Sequence, residues 1–80
     1  MGDPSRKVSF LGPPLTRQSR GSLSAAEITM IERRRAPAWD GQIQQYLVSV
    51  DARSGEDAVA RVLAALEPHG SFSAFALSEP

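Results

Sequence analysis

The sequence predicts a small α+β unit over about residues 43–77, with a mostly disordered front half that carries one short helix at about 25–35. Three observations point there. The front is rich in proline, glycine and serine, capping signals bracket one short stretch, and the back alternates between strand and helix periodicities.

Residues 1–22 hold three of the six prolines, three of the six glycines and four serines, with few large apolar side chains. Such a segment buries too little surface to offset an ordering entropy of about 1–2 kcal/mol per residue. It reads as a disordered docking segment. Residues 23–38 are different. Ser24 followed by Glu27 fits a capping box, and Leu23 with Ile28 fits a hydrophobic staple. Arg33, Arg34 and Arg35 then fall in a last turn, where cations suit the helix dipole, and Pro37 forbids continuation. These signals predict the helix at 25–35, although Thr29 and Ile31 also suit a strand.

In residues 43–50, Tyr46, Val48 and Val50 alternate with Gln45, Leu47 and Ser49, as in a half-buried strand. Ser54 caps the next stretch. Val59, Val62, Leu63 and Leu66 then recur at helical spacing, which predicts an amphipathic helix at about 55–67. Pro68-His69-Gly70 ends it. Residues 71–77 group Phe72 with Ala74 and Phe75 with Leu77, a weaker strand. Two strands and one helix make a thin core, so the unit is marginally stable alone, self-associates or docks.

The chain has 80 residues, nine basic and nine acidic groups and no cysteine. A disulfide and a thiolate metal site are excluded. One histidine, His69, cannot build a metal site, and no metal or other cofactor is expected. No apolar run reaches the roughly 20 residues of a membrane span. Met1-Gly2 opens like a myristoylation signal, but Arg6 stands where serine or threonine is needed. The expectation is a cytoplasmic protein, with the nucleus as a further compartment. Residues 1–40 carry seven basic groups against four acids, and residues 41–80 two against five. A basic front suits an acidic partner surface or is merely solvated. Three arginines without interleaved aromatics make a poor nucleic-acid footprint. No carboxylate pair, Ser–His–Asp set or phosphate loop is evident, so no catalytic residues are assigned and a non-enzymatic protein is expected.

One short motif stands out in the front. In an extended Lys7-Val8-Ser9-Phe10, Val8 and Phe10 point one way and Ser9 the other. Such a segment suits addition to a foreign sheet edge, with Lys7 steering toward an acidic rim. Burying the two side chains is worth about 1.5–3 kcal/mol each, enough for an anchor and too little for a tight complex.

The motif resembles the docking tetrapeptide of protein phosphatase 1 regulatory subunits: a basic residue, Val or Ile, any residue, then Phe or Trp. Asp3-Pro4, Arg6-Lys7, Pro13-Pro14, Ala26-Glu27, Met30-Ile31, Arg33–Arg35 and Pro37-Ala38 follow one another as in the cAMP-regulated inhibitors of that phosphatase, the group of the dopamine- and cAMP-regulated neuronal phosphoprotein. The resemblance covers about residues 1–38. It implies a regulatory or inhibitory subunit that docks on the phosphatase catalytic subunit, with Lys7, Val8, Phe10, Arg33, Arg34 and Arg35 as binding residues. The family has a threonine after its arginine run, phosphorylated by a cAMP-dependent kinase. Here Ala36 follows Arg35, and Thr29 lies upstream, so docking is implied without that switch. Ser9 follows Arg6-Lys7-Val8 and is a candidate phosphorylation site, or simply the motif's variable position. Trp39 is a further anchor or a lid on the back unit. The alternative function is a small α/β module that pairs with itself through 43–77, or with another subunit, and carries a disordered basic tail.

Overall fold

The computed structural model describes residues 4–35 and 43–77, apart from the side chains of Arg34 and Arg35. Six main elements follow one another: β1 (Ser5–Gly12), α1 (Arg17–Ala25), β2 (Thr29–Arg35), β3 (Gln44–Asp51), α2 (Gly55–Leu66) and β4 (Ser73–Ala76), with a 3-10 turn at Glu67–His69 before β4. The four strands form one antiparallel sheet in the order β2-β3-β1-β4. This βαββαβ order is the ferredoxin-like arrangement. A small α+β architecture is therefore present, and it draws on both halves of the chain.

The front half differs most from expectation. Residues 5–12, read as part of a disordered docking segment, are a central strand. β1 pairs with β3 along its whole length, from Ser5↔Asp51 to Gly12↔Gln44, and with β4 from Val8↔Ala76 to Leu11↔Ser73. Val8 and Phe10 are fully buried, and the Phe10 ring stacks on Tyr46 at 5.0 Å. The sheet edge that the motif suits is not foreign: the chain's own later strands, β3 and β4, supply it. Composition alone misleads here because the apolar surface that orders β1 lies more than thirty residues away.

The helix expected at 25–35 is also corrected. The observed helix is α1, ending at Ala25, and Thr29–Arg35 is a strand. Ser24, Glu27, Leu23 and Ile28 do mark a helix end, but the opposite one. The Glu27 amide donates to the Ser24 carbonyl at 3.0 Å, and that of Ile28 to the Leu23 carbonyl at 2.9 Å. Glu27 has φ of 60°, and Leu23 and Ile28 are both buried in the core. This is a Schellman C-cap with its apolar contact. The start of α1 is Thr16, whose side chain accepts from the Ser19 amide, while Ser19 Oγ accepts from the Thr16 amide at 2.7 Å. Beyond Glu27 the chain turns back to pair with β3, and the arginine run lies on an edge strand instead of in a last helical turn.

The back half follows its periodicity. β3 turns Tyr46, Val48 and Val50 inward, and Ser54 caps α2 by accepting from the Asp57 amide. The buried residues Ala58, Val62 and Leu66 form one face of α2, packed against Val8, Phe10 and Val48. Arg6 ties β1 to the turn before α2 by donating to the Ala52 and Arg53 carbonyls at 3.0 and 2.9 Å. Phe72 packs over Gly12, where a Cβ would meet its ring at 2.2 Å, and meets Phe10 edge-on at 5.8 Å. Both helices share one side of the sheet. Trp39 and Pro37-Ala38 lie outside the described residues.

Candidate functional site: the open face of the sheet

Strand alternation divides the sheet residues between two faces. Val8, Phe10, Tyr46, Val48, Ala74 and Ala76 face the helices. Ser9, Leu11, Gln45, Leu47, Ser73 and Phe75 face away. The registers Glu32↔Leu47, Leu47↔Ser9 and Ser9↔Phe75 set these four residues in one row across all four strands. Gln45 Nε2 donates to Ser9 Oγ at 2.9 Å. Ser9, Glu32, Gln45, Leu47, Phe75 and Leu77 line a shallow depression on this face. Phe75 is 49% exposed and Leu77 38%. Among the described residues no helix or strand covers this face. Ile31, at the irregularity where β2 shifts register against β3, adds another exposed apolar side chain.

The residues anticipated as a docking site do not come together. Val8 and Phe10 are core. Lys7 is exposed opposite Ser49, whereas Arg33 is exposed opposite Tyr46, on the other side of β3. Arg34 and Arg35 continue β2, and their side chains lie outside the described set. Ser9 is only 3% exposed and sits between two paired strands, so a kinase reaches it only through local unfolding. Thr29 starts β2 and is exposed.

Chemistry has one candidate. Ser22 Oγ and His69 Nε2 lie 2.8 Å apart, a pairing found in nucleophilic sites. No carboxylate orients the other ring nitrogen among the described residues, so the pair ties α1 to the turn after α2. Nor do the described residues hold a cluster of three metal-ligating groups, and no helix among them is long and apolar enough to cross a membrane. A ferredoxin-like sheet can bind RNA by stacking bases on aromatics of its open face. Here Phe75 is the single described aromatic on that face, since Phe10, Tyr46 and Phe72 pack into or against the core. What the face offers is a contact surface of mixed polarity with an apolar centre.

No protein-family model matches the chain, and no curated protein does. A solved structure described as an unknown protein from Galdieria sulphuraria matches with a TM-score of 0.56 at 20% identity, over 96% of this chain and 48% of that one. The likeness shows the fold. The chain spans about half the length of the protein it matches.

Sequence reasoning grouped Phe75 with Leu77, and Leu47 with Gln45, by alternation. Alternation alone does not join the two groups, because β1, the strand between them, reads from sequence as a segment for a partner's sheet.

Proposed function

We propose that this chain is a non-enzymatic interaction module that pairs with a second copy through the open face of its sheet. The observation that carries this reading is the apolar patch of Leu47, Phe75 and Leu77 on a face that no helix or strand among the described residues covers, while both helices lie on the other. Four strands about 4.8 Å apart, three of seven or eight residues (about 23–26 Å) and β4 of four (about 13 Å), present about 400 Å². Two such faces bury about 800 Å², below the roughly 1,200 Å² at which stable specific interfaces begin, so a weak and reversible dimer is expected. Zero net charge leaves no long-range repulsion between copies. Phosphatase docking through Val8 and Phe10 is the less favoured reading. It requires withdrawing the central strand and emptying the core. Sedimentation equilibrium tests the proposal. The native chain should show a concentration-dependent dimer, and Phe75→Asp should sediment as a folded monomer. A native chain that is monomeric at about millimolar concentration rules the dimer out.

A further inference from the structure

The two edges of the sheet are unlike each other. β2, at one edge, carries Glu32 and three arginines and has a register irregularity between Met30 and Glu32, features that discourage pairing with another strand. β4, at the other, reads Ser-Ala-Phe-Ala and has neither charge nor proline. Bonded pairs alternate along an antiparallel ladder. The Leu77 amide donates to the Lys7 carbonyl at 3.0 Å, so Ser73, Phe75 and Leu77 turn their backbone groups toward β1. Ala74 and Ala76 turn theirs outward, and no described residue pairs with them.

Two separate shallow depressions lie along α2 near this edge. One is lined by Gly55, Glu56, Val59 and Ala76. The other is lined by Leu63, Glu67, Gly70 and Phe72. Val59 and Leu63 are half-buried, while Glu56 and Glu67 are exposed. The neighbouring Asp57 already bonds Arg61 at 3.0 Å. Beside the outward backbone groups of β4, each depression therefore offers one half-buried apolar side chain and one exposed acid.

We infer that the outer edge of β4 receives an extended segment of a partner protein with alternating apolar side chains and basic flanks. The segment adds as a fifth strand. Side chains opposite Ala74 and Ala76 point to the helix side and cover Val59 and Leu63. Glu56 and Glu67 stand about 16 Å apart along α2 at about 1.5 Å per residue. An extended chain covers that in about five residues at about 3.3 Å each. Same-face basic residues four or six apart therefore meet both acids. A second copy of β4 fits badly, because antiparallel pairing about a two-fold axis brings Glu56 of one copy toward Glu67 of the other. This edge is distinct from the open face, so the inference stands independently of the dimer.

The test uses a seven-residue peptide with lysine at its ends, valine at its third and fifth positions and serine between, titrated into the full ¹⁵N-labelled chain. Saturable amide shifts are expected along 72–77 and the outer side of α2, with those of Ser9, Gln45 and Leu47 unmoved and the dimer fraction unchanged. A peptide with glutamate for lysine should bind about tenfold more weakly or not at all. So should the native peptide on a Glu56→Lys/Glu67→Lys chain. Ala74→Pro removes an outward N–H at an edge position where proline is tolerated, and should abolish binding in a folded chain. N-methylation of the two valines tests the same hydrogen bonds without changing the protein, and should also abolish binding. Four results overturn the inference: no saturable shift up to about millimolar peptide, shifts centred on the open face, equal affinity for the acidic peptide, or full binding by the N-methylated one.

Discussion

Glu27 closes α1 from a left-handed backbone position, with φ of 60°. A side chain with a Cβ is strained there by about 1–2 kcal/mol, and glycine is not. Glycine also loses more freedom on folding, which offsets part of the gain. Glu27→Gly should therefore stabilise the fold by about 0.5–1 kcal/mol, read as a raised urea midpoint with an unchanged slope. At the start of α2, Asp57 accepts from the Arg53 amide at 3.2 Å and from Arg61 Nε at 3.0 Å. The Arg53 backbone bond first, and then the Arg61 guanidinium, hold its carboxyl below the ordinary aspartate range. A depressed folded value adds stability above the unfolded pKa, and this is lost as pH falls through the folded one. Between neutral pH and about pH 3 the native chain should thus lose more stability than Asp57→Asn does. An NMR titration placing the Asp57 midpoint at or above the unfolded value would contradict this.

At the scale of elements, α1 is the weakest piece. It contains Gly21 and three serines, and it buries only Ser19 and Leu23. A Cβ built at Gly21 meets nothing within 4 Å. Gly21→Ala should stabilise by about 0.5–1 kcal/mol through helix propensity alone, seen as a higher denaturation midpoint without loss of the sheet's amide pattern. This composition also explains why α1 was not legible. Its cap is Thr16 with Ser19, where the recognised pattern has Glu or Gln at the third position, and its apolar stripe is too thin to show a period. The terminal signal at Ser24–Ile28 was legible, but its polarity was not. A polar residue three places before an acid, flanked by Leu and Ile, opens one helix and closes another equally well until the φ of Glu27 is known. α2 and β3 were readable because Ser54, Val62, Leu66, Tyr46 and Val48 carry the full period of their elements. β1 showed its alternation in Val8 and Phe10, and the face they share was assigned correctly. What no local pattern records is which sheet receives them.

The described residues form one sheet with a single helical layer, 17 Å across the thinnest direction. At about 0.05–0.15 kcal/mol per residue, a chain of this length has about 4–12 kcal/mol of stability. Phe10 is fully buried, stacked on Tyr46 and edge-on to Phe72. Phe10→Ala should cost about 3–5 kcal/mol, a large share of that total. Heat or urea should then unfold both halves in a single transition at a much lower midpoint, since β1 is common to both. A front that melts while α2 and β3 persist would instead mean two separable units.

The strand order has a consequence for synthesis. Every ladder partner of β1 lies at least 32 positions downstream, from Gln44 to Asp51 and from Ser73 to Ala76. On the ribosome, β1 emerges before either of the strands that flank it in the sheet. The nascent chain therefore carries Val8 and Phe10 bare to the solvent until β3 and then β4 have cleared the exit tunnel, and the same pair that later seals the interior is, for that interval, what a chaperone would grip.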